Sequence, residues 1–135
     1  MKIAKMSKQE GTTVPAPFKR TIKPIFGPDE ERGGIKEISC SQVFLYPGSQ
    51  TDYHIDEKPE LMYVVKGRGV AICDGQETEI ETDDVMWVPA GERHQLKNPG
   101  NTMMKLLTAY VPGRSHKEGI QRRLAAAAAA QNEKK

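Results

Sequence analysis

Between Ile35 and Val111 the chain is a succession of short apolar runs separated by turn residues, and this alternation constrains the fold more than any other feature. The first run, "IKEISCSQVFLY" (35–46), is β-branched and aromatic, long enough for a strand, and closed by "PGS". Then come "LMYVV" (61–65), "GVAICD" (69–74), "ETEIET" (77–82), "DVMWVP" (84–89), "HQLKN" (94–98) and "MMKLLTAYV" (103–111). The gaps carry turn chemistry: "KGRG", "DGQ", "PAGER" and "NPGN". Asp74-Gly75 between two strand-like runs predicts a tight hairpin. With no helical period in this stretch, the pattern predicts an all-β sandwich or barrel.

The flanks read differently. Residues 1–34 are rich in Pro, Gly, Lys and Glu, with short apolar pieces such as "TIKPIF", and end in the turn "GPDEERGG". They predict an arm that packs loosely or pairs at a sheet edge. Beyond the strands, Ser115 and Glu118 form a capping box ahead of "GIQRRLAAAAAAQ". Alanine favours helix, so a terminal helix to about Gln131 is expected, fraying into "NEKK". Ile120 and Leu124 make a thin apolar stripe that could dock on the barrel, reach a partner subunit or face solvent. The division is an arm (1–34), a barrel (35–112) and a helix with its tail (113–135).

At 135 residues the chain is about one domain, with room for a single core. Twenty Lys and Arg against 18 Asp and Glu leave a net charge of +2, with the two signs interspersed except at the ends. That balance points to neither nucleic acid nor membrane as partner. No apolar run approaches the roughly 20 residues of a membrane span. The start lacks the apolar core of a signal peptide. Cys40 and Cys73 stand alone without CxxC spacing, so reduced thiols in a cytoplasmic protein are expected.

Chemistry concentrates in "GSQTDYHIDEKPELMYVVKG" (48–67). A solvated charged turn is one reading; a metal site is the other. If the stretch is extended, His54 and Asp56 point the same way. Pro59 suits a strand start, and Glu60 then opens the next strand on the face it shares with Met62 and Val64. A carboxylate entering an apolar interior is costly unless it is paired or bound to a metal. His94, one of only three histidines, follows the turn "VPAGER", which would swing its strand back beside its neighbour. Two imidazoles and one or two carboxylates would suit a divalent transition metal.

These segments resemble the two sequence motifs of the cupin family. The first motif, G-x5-H-x-H-x3,4-E-x6-G, is matched by Gly48, His54, Asp56, Glu60 and Gly67. The second, G-x5-P-x-G-x2-H-x3-N, is matched by Asp83, Pro89, Gly91, His94 and Asn98. The resemblance covers about residues 35–111 and implies a small single-domain jelly-roll barrel with an interior metal held by His54, Asp56, Glu60 and His94. Two positions depart from the pattern. Asp83 replaces a turn glycine, and Asp56 replaces the second histidine, making a two-histidine, two-carboxylate set. Such a set shifts preference towards oxygen-loving ions; if Asp56 stands aside, His54, Glu60 and His94 leave a face with open positions. Zinc, manganese, iron and nickel all remain compatible, at one ion per chain.

Pocket-lining candidates are Gln42, Phe44 and Tyr46 on the first long strand, Met62, Val64 and Leu96 on the faces of the ligands, and Tyr110. Tyr53, Arg93 and Gln95 should face away from the site. Asn98 and Gly91 read as turn residues, and His116 as a surface residue at the helix start. The resemblance implies a metal-dependent enzyme, foremost an isomerase or lyase acting on a small oxygenated acid, sugar or keto compound. It would act through carbonyl polarisation and enolate stabilisation, with Asp56 or Glu60 moving a proton. An iron-dependent dioxygenase and a non-catalytic small-ligand or sensor module are the alternatives, since fold alone does not choose among them. The resemblance also implies a homodimer built through the arm and sheet edges.

Overall fold

The computed structural model describes residues 1–133, which form ten strands and one α-helix with short 3-10 turns at Met6–Lys8 and Glu30–Arg32. The strands are β1 (Thr12–Val14), β2 (Arg20–Pro24), β3 (Ser39–Leu45), β4 (His54–Ile55) and β5 (Glu60–Lys66). They continue with β6 (Arg68–Cys73), β7 (Gln76–Glu81), β8 (Val85–Val88), β9 (Arg93–Lys97) and β10 (Met104–Tyr110), and helix α1 spans His116–Glu133. Two antiparallel sheets face one another, ordered β1-β2-β3-β10-β5-β8 and β4-β9-β6-β7. The fold is an all-β jelly-roll.

Alternation along the strands builds the core. β5 buries Glu60, Met62 and Val64 and turns Leu61 and Val65 outward. Val88 from β8, Leu96 from β9, Ile80 from β7, and Met104 and Leu106 from β10 close on Met62, Val64 and Leu45. Each such side chain contributes about 1.5–3 kcal/mol by leaving water. The β6–β7 hairpin turns at Asp74 and Gly75, both at positive φ (47° and 84°), the geometry that the Asp-Gly pair predicts. Asp83, where the motif has glycine, also sits at positive φ (76°) and accepts a hydrogen bond from the Tyr63 hydroxyl.

The first long strand is shorter than its sequence pattern suggests. Residues 35–38 lie outside β3, because Ile35 N–H is taken by the Gly27 carbonyl and the Lys36 carbonyl by Gly113 N–H. The arm is structured: β2 pairs with β3 and β1 pairs with β2, so the chain covers the free edge of β3 itself. Helix α1 lies over that extension, where Ala127 is fully buried with Val14 and Ile22, and Ile120 and Phe18 pack alongside. The docking stripe is therefore Ile120 with Ala127, two turns on, while Leu124 stays 36% exposed. Fraying is expected from Asn132, yet Asn132 and Glu133 are helical; 134–135 lie outside the described residues.

His116 departs from the surface role expected of it. Its Nε2 donates to the Phe26 carbonyl (2.8 Å), its Nδ1 lies 3.4 Å from Ser41 Oγ, and the ring is partly buried. The helix start is capped twice. Ser115 Oγ accepts from Glu118 N–H, as the capping box requires, and Asp29 Oδ2 accepts from the backbone N–H groups of His116 and Lys117. Cys40 and Cys73 are unpaired thiols, on β3 and β6 respectively. Among the described residues no helix is long and apolar enough to cross a membrane.

Candidate metal centre

Four elements deliver the site. His54 on β4 and His94 on β9 are direct cross-strand partners in the smaller sheet. Glu60 opens β5 in the larger sheet, opposite Tyr110 of β10. Asp56 follows β4, and its carbonyl accepts Gly91 N–H (2.9 Å), which pins the 56 loop to the turn that feeds His94. All four side chains meet at one end of the barrel. Asp56, Glu60 and His94 are about 95% buried and His54 is about three-quarters buried.

The two imidazoles are held in one tautomer. His54 Nδ1 donates to the Asp52 carbonyl and His94 Nδ1 donates to the Glu92 carbonyl, both at 2.9 Å. In the neutral ring each Nε2 then carries a lone pair. Those lone pairs face oxygen: Asp56 Oδ2 lies 3.2 Å from His54 Nε2 and 3.5 Å from His94 Nε2, and Glu60 Oε1 lies 3.4 Å from His94 Nε2. His94 Nε2 is buried without a hydrogen-bond partner among the described residues. With both rings neutral these are acceptors aimed at acceptors, so the geometry calls for either a metal ion among them or a ring proton donated to a carboxylate, as His54 Nε2 can donate to Asp56 Oδ2. The donor set fits a divalent transition metal, with His54, Asp56, His94 and Glu60 able to hold it and the two carbonyls orienting the rings.

Asp56 divides its oxygens. Oδ2 faces the imidazoles, while Oδ1 accepts from Arg114 Nη1 at 3.1 Å. Burial raises the Asp56 carboxyl, but His54, Arg114 and His94 outweigh it and hold the group far below the usual carboxylate range. For His94, burial favours the neutral ring, yet Glu60, the Glu92 carbonyl and Asp56 together raise its pKa. Tyr110 is buried, its hydroxyl 3.4 Å from Asp56 Oδ2 and accepting from Arg123 Nη2 at 3.1 Å; burial, then Glu60, pushes its pKa well up. Behind His54, Asp52 accepts from Arg20 Nη2 at 3.2 Å.

The structure brings His54, Asp56, Glu60, His94 and Tyr110 together. It does not bring the other pocket candidates there. Gln42 and Phe44 lie on the outer face of β3, with Tyr46 just past its end, because Ser39, Ser41 and Leu45 take the inner one. Phe44 lies beneath the Lys23 and Lys105 ammonium groups and Tyr46 bonds Thr21. Met62, Val64 and Leu96 fill the core deeper in the barrel. Tyr53 and Arg93 stack on each other outside (4.2 Å), and Gln95 donates to the Thr51 carbonyl. Asn98 is a buried staple. Its Nδ2 donates to the carbonyls of Leu45 (2.9 Å) and Thr102 (2.8 Å) while its Oδ1 accepts from Gly100 N–H.

Sequence reasoning missed Asp52 and the arginines Arg20, Arg114, Arg122 and Arg123 around the site. Arg20 comes from the arm and the other three from the C-terminal segment, so no local pattern marks them. A cavity of about 190 Å³ opens beside the cluster, lined by Asp52, His54, Asp56, Arg114, Arg122 and Arg123 among others. A larger concavity of about 880 Å³, around Lys66–Val70 and Asn98–Thr102, lies at the other end of β5 and β9 and holds none of the four candidate ligands.

Known proteins bear on this geometry. Relatives include an uncharacterised protein of Methanocaldococcus jannaschii, 29% identical over 63% of this chain and 68% of its own length. The oxalate-binding protein of Thermotoga maritima is 34% identical over 53% of this chain and 60% of its own. The tetracenomycin polyketide synthase protein TcmJ of Streptomyces glaucescens is 29% identical over 52% and 48%. Among solved structures, a predicted oxalate decarboxylase from Thermotoga maritima superposes with a TM-score of 0.72 at 21% identity, covering 82% of this chain and 99% of that one. The polyketide cyclase RemF from Streptomyces resistomycificus gives 0.71 at 17% identity, covering 84% and 81%. At these identities the structural likeness speaks for the fold. Residues 42–110, just over half of the chain, match the cupin domain family and include all four candidate ligands. The protein is a member of the cupin family.

Proposed function

We propose that this protein is a metal-dependent enzyme of the isomerase or lyase type, acting on a small oxygenated compound at the mouth of its barrel. The observation that carries the reading is the convergence of the two Nε2 lone pairs with the carboxylates of Asp56 and Glu60. A bound divalent cation would supply Lewis-acid polarisation of a carbonyl or carboxylate oxygen. The protein's own residues do the rest. Arg114 fixes Asp56, the Asp52 and Glu92 carbonyls fix the imidazoles, and a cavity of about 190 Å³ beside them has room for a small ligand. In this reading Glu60 takes and returns the proton, while Asp56, paired with Arg114 and held ionised, serves as a ligand. The test is anaerobic turnover of a panel of small hydroxy acids, keto acids and sugars by metal-loaded protein, abolished by chelator. Turnover that requires oxygen would instead support an iron-dependent dioxygenase.

A non-catalytic binding role is the second reading, favoured by the relative named for binding oxalate. Tight binding without turnover across the same panel would establish it. We also propose a homodimer. Leu61, Val65, Val85, Trp87 and Leu107 are exposed on the outer face of β5, β8 and β10, and β8 is an edge strand. A second copy against that face would cover both the apolar side chains and the unpaired edge.

A further inference from the structure

Three arginines crowd the cavity beside the candidate metal centre, and all come from the segment that follows the barrel. Arg114 stacks over the Tyr110 ring at 3.6 Å and donates to Asp56. Arg123, one turn beyond Gly119 on α1, donates to the Tyr110 hydroxyl. Arg122 is exposed at the cavity rim and forms no ion pair among the described residues. Arg20, from the arm, is only 3% exposed; one guanidinium nitrogen binds Asp52 while Nη1 is buried without a partner among the described residues. Burial and then the like charge of Arg123 lower the Arg20 pKa, whereas for Arg123 burial is outweighed by Tyr110, Glu60, Asp56 and Asp52, which raise its pKa.

Guanidiniums held this close need counter-charge. Asp52 pairs with Arg20 and Asp56 with Arg114, whereas Arg122 and Arg123 have no carboxylate within ion-pair distance among the described residues; Glu57 and Glu118 line the adjoining concavity with Arg114 and Arg122. Arg114, Arg122 and Arg123 line the cavity of about 190 Å³, while Arg20 is buried against Asp52. Guanidinium presents planar donor pairs that match a carboxylate. Resting on the metal-site reading above, we infer that Arg122 and Arg123, with Arg114, form an anion subsite that restricts the ligand to small organic acids carrying a free carboxylate. Selectivity for acid over sugar or neutral carbonyl compound then resides in α1, outside the region that matches the family.

The experiment is calorimetric titration of the full-length, manganese-loaded protein with glycolate, oxalate and malonate, and with neutral glycolamide and inorganic phosphate as counterparts. Arg123→Gln should weaken carboxylate binding by about tenfold or more, the value of a charge-assisted hydrogen bond. Glycolamide binding and bound manganese should not change. Arg122→Gln, at an exposed position that folding does not need, should weaken it in the same direction. Equal affinity for glycolate and glycolamide, no carboxylate binding at all, or carboxylate affinity unmoved by both substitutions would overturn the subsite. So would phosphate binding more tightly than every carboxylate. Loss of manganese from the unmodified protein would count against the metal reading instead, and elemental analysis of the same samples separates the two failures.

Discussion

His54 and His94 face each other across the β4–β9 ladder with ring centroids 4.5 Å apart, and a backbone carbonyl two residues upstream turns each ring the same way. The arrangement follows from strand geometry. In each case the Nδ1–H reaches the carbonyl of residue i−2, so Nε2 is left pointing inward. Glu60 arrives from the opposing sheet and Asp56 from the loop between them.

Asp56 ties this centre to Arg114, and its two oxygens separate the roles. Asp56→Asn keeps the volume and removes the charge. Metal affinity, read by competition with a chromogenic chelator, should fall by at least about tenfold, the least that orienting or ligating groups at metal sites typically contribute. Unchanged affinity would mean that Asp56 stands aside and that His54, Glu60 and His94 hold the ion without it.

Asn98 should matter for stability and not for chemistry. Its amide satisfies two carbonyls and one N–H at the far end of β9 while being 1% exposed. Asn98→Ala leaves those groups unpaired and should cost about 1–3 kcal/mol in urea unfolding. Metal content should match the unmodified protein. A change below about 0.5 kcal/mol, the range of ordinary surface substitutions, would contradict the staple.

Docking of α1 should depend on acid pH through Asp29. Burial raises this carboxyl, but hydrogen bonds from Ser115 and from the His116 and Lys117 backbone outweigh it, and the folded value lies below the ordinary 3.8. The stabilisation is therefore fully present above the ordinary value. It is lost as pH falls further and the folded carboxyl takes up its proton. Melting temperatures of the unmodified protein and Asp29→Ala should differ at pH 6 and converge below about pH 3. A constant difference across that range would show that the carboxylate charge is not what caps the helix.

The barrel was legible in the sequence because each strand carries its own local signature. Asp74-Gly75 forces a tight turn, and Glu60, Met62 and Val64 alternate inward from a Pro59 start. The convergence of His54, Asp56, Glu60 and His94 was legible through the resemblance to the two motifs and not through strand period alone, since Asp56 lies in the loop after β4. The face of β3 was misread because Phe44 and Tyr46 look like core residues. They are covered instead by lysine stems and by the arm, which periodicity cannot show. The arginine wall was invisible because Arg114 meets Asp56 across 58 residues, and Arg20 meets Asp52 across 32. Such contacts depend on how the two ends fold back, and neither end carries a short-range signal of that return.

The outer face of β5 and β8 makes a separate prediction about assembly. Trp87 is 56% exposed beside Leu61, its cross-strand partner at 38%. Light scattering should give twice the chain mass for the unmodified protein, and Trp87→Lys should return it to the mass of one chain. A single-chain mass for the unmodified protein would exclude this interface.

The central claim is that His54, Asp56, Glu60 and His94 hold one divalent metal, and elemental analysis tests it most directly. Full-length protein purified without added metal should carry close to one transition-metal ion per chain. His94→Ala, at the imidazole whose buried Nε2 has no hydrogen-bond partner among the described residues, should carry none while keeping its fold by circular dichroism. Equal metal in both proteins, or none in either after incubation with zinc, manganese, iron and nickel, would contradict the account.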